Sequence, residues 1–219
     1  MAYDRPLSYS GISLYKKCPR AWKDAYIDGN RSVPGPAAMR GTELHKRLED
    51  YFTTGEYPMA DRVLRAWMEY MGGLAGGSPE QGLAIDRDFW ACDFDDTWAY
   101  VRGNVDLIID DGELIKIYDW KSGKEYESHA FQSEIYAMLA YFNYPASHRV
   151  EVTMVYLDQP HHTVTRTYDD YNIDDICKDV TILVDAITLD EEYAPTPSND
   201  ACRFCPLSWR KGGSCDKAP

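Results

Sequence analysis

Hydrophobic and polar residues change period along this chain, and the changes mark its elements. Near the middle, apolar runs at residues 105–109 and 114–118 flank Asp110-Asp111-Gly112, and an Asp-Gly pair between β-prone segments signals a hairpin. Strands are expected at residues 83–91, 97–109 and 113–120, a meander. Residues 128–144 switch to a helical period, with Phe131, Ile135, Met138, Leu139 and Phe142 on one broad face and Pro145 as the stop. A buried-looking strand at 150–157 and an edge strand at 162–168 follow, with His161 and His162 read as turn residues. An amphipathic helix with an acidic outer face is expected at 174–189.

The stretch before the sheet reads as helical. Residues 8–28 carry Ile12, Leu14, Tyr15, Trp22, Tyr26 and Ile27 at helical spacing, with Ser8 or Ser10 as N-cap and a break at Cys18-Pro19, where proline suits a first turn. Residues 29–36 read as a loop. A second helix, read from Met39 with Thr42 as a cap, has the stripe Leu44, Leu48, Tyr51 and Phe52, and His45 lies beside it. A lone histidine there is more often a hydrogen-bonded core residue than a ligand. Gly41, one turn earlier, permits close approach of another backbone. A third helix at 60–71 ends in Gly72-Gly73, and the glycine-rich stretch to Gly82 reads as a flexible connector.

At 219 residues with 44% hydrophobic content, the chain can build one sizeable core with a small appended lobe. The expected organisation is a single domain over 1–219, with a helical lobe at 1–82, an α/β core at 83–190 and a cysteine-bearing tail at 191–219. No apolar run reaches the roughly 18 residues of a spanning helix, and residues 1–10 lack a signal-peptide pattern, so the cytoplasm is expected and a membrane is not. The net charge of −13 argues against a protein that coats nucleic acid generally. The distribution softens this: residues 1–50 hold nine Lys/Arg against six Asp/Glu, whereas residues 169–193 hold nine acids and one lysine.

Candidate chemistry sits in the hairpin. Asp106 lies in its first strand and Asp119 at the end of its second, while Lys121, two residues on, shares the face of Asp119. These charges lie in apolar and aromatic sequence, where an unpaired charge is costly unless a metal or partner compensates it. Acids and a lysine on one face can hold a divalent metal and an ammonium beside one phosphate. In the tail, Cys202, Cys205 and Cys215 form C-x2-C-x9-C, a chelating pattern one ligand short, and Cys18 is the remaining cysteine in a comparable Pro-flanked setting. Cys92 and Cys177 read as small core residues.

Taken in order, S-x4-Y-x2-C-P-R-x-W at residues 10–22, G-T-x2-H at 41–45, G-x2-D at 103–106, D-W-K-S-G at 119–123, Q-x3-Y at 132–136 and the three-cysteine tail resemble one family. It is the PD-(D/E)XK nuclease superfamily, in its RecB-like branch with C-terminal cysteines, which includes the AddB nuclease domain, CRISPR-adaptation exonucleases and phage exonucleases. The resemblance implies a restriction-endonuclease-like α/β core, a mixed sheet flanked by helices. It implies His45, Asp106, Asp119 and the Trp120 carbonyl as ligands of Mg²⁺ or Mn²⁺, with Asp106, Asp119 and Lys121 catalytic. It further implies Gln132 and Tyr136 as residues that position DNA, and an iron–sulfur cluster, usually of four irons, on Cys18, Cys202, Cys205 and Cys215. The final gap of nine is longer than usual for such tails, which leaves cluster type and zinc both open. The expected function is a metal-dependent DNA exonuclease acting on single strands or DNA ends, in phage recombination or replication or in CRISPR adaptation, with proteins of those systems as partners. If phage-encoded, it would work in the host cytoplasm. The alternative is a catalytically weak DNA-end-binding or zinc or iron–sulfur structural module.

Overall fold

The computed structural model describes residues 3, 5–58, 60–203 and 205–217. Its elements are α1 (Tyr9–Lys17), α2 (Pro19–Tyr26), α3 (Pro36–Thr54), α4 (Arg62–Arg65), α5 (Met68–Gly72), β1 (Ser78–Ile85), β2 (Val101–Asp110), β3 (Ile115–Lys121), α6 (Ser128–Asn143), β4 (Val150–Tyr156), β5 (Thr163–Tyr168), α7 (Asp170–Leu189) and α8 (Asn199–Arg203), then a 3-10 turn at Trp209–Lys211. They divide into two compact units, Pro34–Lys178 and Met1–Val33 with Asp179–Pro219. The α7 helix runs through the division.

Pro34–Lys178 carries a five-stranded sheet in the order β1-β2-β3-β4-β5. The first three strands form the expected antiparallel meander, β3 and β4 are parallel, and β5 returns antiparallel as an edge. The turn between β2 and β3 places Gly112 at φ 82, a left-handed conformation that glycine adopts without penalty, and its N–H donates to Asp110 Oδ1. Parallel strands need a crossover, and α6 supplies it, burying Ile135, Ala137, Met138, Leu139 and Ala140. The expected mixed sheet flanked by helices is therefore the architecture found.

Successive residues of β3 face opposite ways, and this positions the site. Trp120 packs into a core with Leu44 and Leu48 of α3, Leu64 of α4, and Met68 and Met71 of α5, and its ring stacks on Phe52 at 6.0 Å. Asp119 and Lys121 face the other way, towards α6.

Several boundaries differ from expectation. The third helix is broken into α4 and α5: Asp61 caps α4 through Val63 N–H and Leu64 N–H, and the chain bends at Trp67, whose buried indole N–H donates to Leu157 O at 3.0 Å. The α3 helix starts at Pro36 after Gly35 rather than at Thr42, because proline is already set for a first turn. The strand β1 begins at Ser78, inside the stretch expected to be a connector, and ends at Ile85.

In the second unit, the chain breaks between α1 and α2 at Cys18, as expected. Trp22 is fully buried, stacked by Tyr26 at 5.4 Å and Tyr193 at 5.7 Å, with Tyr3 edge-on at 4.8 Å. Tyr15 Oη donates to Asp190 Oδ2 at 2.7 Å and Thr196 Oγ1 to Lys17 O at 2.8 Å, which ties the C-terminal segment to α1. No helix of the described residues is long and apolar enough to cross a membrane.

Candidate active site and thiol centre

Three acids stand abreast on neighbouring strands. The β1–β2 register pairs Pro79 with Leu107 and Gln81 with Val105, which puts Glu80 opposite Asp106, yet these two do not pair. On the other side, the β2–β3 ladder ends at Leu107–Tyr118, one step before Asp106 would meet Asp119. Both ladders thus open at Asp106. Its carboxylate uses the space, with Oδ2 accepting the Trp120 N–H at 2.6 Å. Glu80 is bent to φ 49, a left-handed conformation unusual for a side chain of this size. The strand period slips here as well. Gly103 stands against Tyr136 and Leu139 of α6, whereas Leu107, four residues on, lies in the core with α3–α5.

From α3, His45 reaches across to Asp106, with Nδ1 3.0 Å from Oδ1. Burial opposes a charged ring, but the Asp106 hydrogen bond and charge, with Asp119 and a backbone hydrogen bond to Trp120, outweigh it and raise the His45 pKa. Gly41 allows α3 to come this close: a Cβ there would stand 2.7 Å from Ser122 Oγ.

On the α6 side, Lys121 Nζ lies 2.5 Å from Asp119 Oδ2 and donates to Gln132 Oε1 at 2.7 Å. Gln132 Nε2 donates to Asp119 Oδ1 at 3.2 Å and to Tyr136 Oη at 2.9 Å, which uses both of its N–H groups. Asp119 Oδ2 is buried and, despite the close ammonium, accepts no hydrogen bond of good direction. Burial, with Asp106's charge adding and Lys121 and His45 opposing, pushes the Asp119 carboxyl up to about 6. Burial and the nearby acids hold the Tyr136 phenol protonated.

The structure thus brings His45, Asp106, Asp119, Trp120, Lys121, Gln132 and Tyr136 into one polar cluster inside Pro34–Lys178. Glu80 joins it unanticipated. Ligand atoms of His45, Glu80 and Asp106 all lie within 4.8 Å of one another, the one such trio among the described residues. The signal available in the sequence was an acid about to enter a strand, masked by the surrounding glycines.

In the second unit all cysteines are free thiols, and Cys18, Cys202, Cys205 and Cys215 line one cavity with Arg20, Pro195, Pro197, Ala201, Leu207 and Ser208. Cys18 sits where α1 ends, Cys202 in α8, and Cys215 is held by its N–H to Leu207 O at 2.7 Å. Burial pushes the Cys205 thiol up, and the neighbouring Cys18 and Cys202 add to this, while backbone hydrogen bonds from Leu207 and Ser208 oppose it.

Residues 80–210, more than half of the chain, match the model of the PD-(D/E)XK nuclease superfamily. The chain belongs to that superfamily. The matched span holds Asp106, Asp119, Lys121, Gln132 and Tyr136, while His45 and Cys18 lie before it. Among solved structures, SSO0001 gives a TM-score of 0.50 at 15% identity, covering 95% of this chain and 87% of that one. A candidate exonuclease from Eubacterium rectale gives 0.54 at 10% identity, covering 84% and 82%. The alkaline exonuclease LHK-Exo from Laribacter hongkongensis gives 0.46 at 12% identity, covering 83% and 87%. At these identities the first two show likeness of fold. No curated protein matches the chain in sequence.

Proposed function

We propose that this PD-(D/E)XK superfamily member is a metal-dependent deoxyribonuclease that hydrolyses phosphodiester bonds, working as an exonuclease on single strands or DNA ends. The observation that carries this is the convergence of His45, Asp106, Asp119 and Lys121 from three elements onto one cluster. The superfamily implies a divalent metal, and the donor set suits one. Carboxylates and an imidazole are ligands for Mg²⁺ or Mn²⁺, and Asp119 Oδ2 is a buried acceptor without a well-directed donor. His45, Asp106, Asp119 and the Trp120 carbonyl would hold it. When bound, the cation supplies Lewis-acid polarisation of the phosphate and of an attacking water.

The chain's own residues do the rest. Lys121 donates one N–H to Gln132 and lies beside Asp119 as an ion pair, so its ammonium can also meet a phosphate oxygen as negative charge builds there. Gln132, buried with both N–H groups engaged, acts by holding the Lys121 ammonium and the Asp119 carboxylate in place. Tyr136 Oη accepts from Gln132 and, buried beside the Asp119 carboxylate, helps hold that pair in place for its role in positioning DNA. Exonuclease action, DNA ends as substrate, and a setting in phage recombination or CRISPR adaptation rest on the ordered motifs. The four cysteines are proposed to hold an iron–sulfur cluster that clasps the two ends of the chain, with zinc as the alternative occupant.

DNA labelled at the 5′ or the 3′ end, digested with Mg²⁺ and with Mn²⁺, tests the reading. Wild-type protein is expected to release label progressively from one end. Asp119→Ala and Lys121→Ala should each lower the rate by about 10²–10³ or more while keeping the wild-type circular dichroism. Wild-type cutting by either folded variant refutes the assignment.

A further inference from the structure

The half-buried ring of His129 lies in the first turn of α6, one turn ahead of Gln132 and outside the ordered motifs. Its Nδ1 stands 3.0 Å from Tyr156 Oη and receives the Tyr126 N–H at 3.4 Å. A backbone N–H can only donate, so Nδ1 is the bare nitrogen of the ring. The fully buried Tyr156 hydroxyl, its pKa pushed up to about 12 chiefly by burial, keeps its proton and donates to Nδ1 as well. The ring proton therefore sits on Nε2. Among the described residues nothing pairs with Nε2, and it is not sealed from water. Burial first, then the charges of Lys121 and Arg166 against that of Glu125, lower the His129 pKa to about 4, so the ring stays neutral. One N–H donor of fixed tautomer is left over.

The sheet register says where that donor stands. Tyr156 is the partner of Lys121 across the parallel β3–β4 pair, so both side chains face α6, where they meet His129 and Gln132 in turn. His129 is thus beside Lys121, on the β4 side and towards the start of α6, with His45 and Asp106 on the opposite side of β3. Arg166, on the next strand, has a buried Nη1 without a partner, while the acid nearby, Glu125, is turned to His162 at 3.3 Å. Lys121 and Arg166 give the spot a positive potential that suits an anion. We propose that His129 Nε2–H donates to a DNA backbone phosphate next to the scissile one, gripping the strand on the β4 side of Lys121. This rests on the nuclease reading and adds to it a substrate contact outside its motifs.

Steady-state cleavage of a single-stranded oligonucleotide in Mg²⁺ tests it, because a contact made equally before and during reaction reads out in KM. His129→Gln, whose amide nitrogen can take the place of Nε2, should cut like wild type. His129→Asn reaches only the place of Nδ1, where it still accepts from Tyr156. It should keep the wild-type Tm yet raise KM about tenfold at unchanged kcat. An oligonucleotide with an uncharged methylphosphonate at the neighbouring phosphate should show the raised KM with wild type already, and His129→Asn should add little to it. His129→Ala strands the buried Tyr156 hydroxyl and should lower the Tm, whereas His129→Ala/Tyr156→Phe should recover the Tm with KM still raised. A His129→Asn protein with wild-type KM, or a His129→Gln protein as impaired as His129→Asn, overturns the proposal and leaves the nuclease reading in place. A wild type that does not cut DNA sinks that reading, and the proposal with it.

Discussion

The two candidate metal centres of this chain are built in contrasting ways. In Pro34–Lys178 the donors are carboxylates and an imidazole on β1, β2, β3 and α3, elements set by a core around Trp120, Leu44, Leu48 and Met71. Three of those donors converge within 4.8 Å. In the other unit the donors are four thiols, on α8, a helix boundary and loops, and among the described residues no three of their sulfurs converge so closely. A single tetrahedral zinc at about 2.3 Å from each sulfur would need sulfurs roughly 3.8 Å apart. A multi-iron cluster spaces its thiolates more widely, because they ligate different irons. The contrast teaches that the donors of the first centre are set by the packing of long elements, whereas the thiols of the second stand on short elements and loops around Trp22.

That contrast is most easily broken by removing one occupant at a time. EDTA is expected to abolish DNA cleavage, with recovery on adding Mn²⁺, while the iron and brown colour expected of the proposed cluster stay unchanged. Loss of both together would mean that the centres are not independent. Cys202→Ala should do the converse, losing the iron and lowering the Tm by several degrees, as about 2–4 °C accompanies each kcal/mol in a chain of this size. An iron-free Cys202→Ala protein with wild-type Tm would remove the clasp from the account.

Within the first centre, Gln132→Leu separates positioning from ligation. Gln132 touches Lys121, Asp119 and Tyr136 but belongs to no metal-ligand set. The variant should cut DNA about 10–100-fold more slowly, as residues that orient ligands typically do, with Mn²⁺ stoichiometry intact and the loss in kcat rather than KM. A raised KM with unchanged kcat would instead make Gln132 a DNA contact.

The sequence was legible where chemistry and local geometry coincide. Asp110-Asp111-Gly112 encodes its turn within three residues, and the Asp119–Lys121 spacing needs only a strand's period to put both on one face. Glu80 was hidden for the opposite reason. Its place depends on pairing with a strand some 25 residues away and on a slip of the β2 alternation, and neither leaves a local trace. The parallel β3–β4 pairing likewise follows from the α6 crossover rather than from any periodicity in β4. The break between α4 and α5 turns on where the Trp67 indole finds a buried carbonyl, a tertiary event.

The smallest expected effect tests how closely α3 must approach the sheet for His45 to reach Asp106. Gly41→Ala adds a methyl 2.7 Å from Ser122 Oγ. Two magnitudes compete. Alanine in a helix interior is favoured over glycine by about 1 kcal/mol, while an overpacked contact costs about 1–3 kcal/mol. The clash is with one hydroxyl, so a small retreat of α3 relieves it: the cost should fall at the low end and the single variant should have nearly wild-type stability, with weaker Mn²⁺ binding because His45 moves back with α3. Ser122→Ala removes the clashing oxygen, and its Cβ would stand 3.8 Å from the new methyl, an ordinary contact. The double variant Gly41→Ala/Ser122→Ala should therefore keep the helix gain without the clash, unfold about 1 kcal/mol later than wild type and regain Mn²⁺ affinity. A double variant as impaired as the single one would show that glycine is needed at position 41 for its backbone, and that the approach of α3 is not set by Ser122.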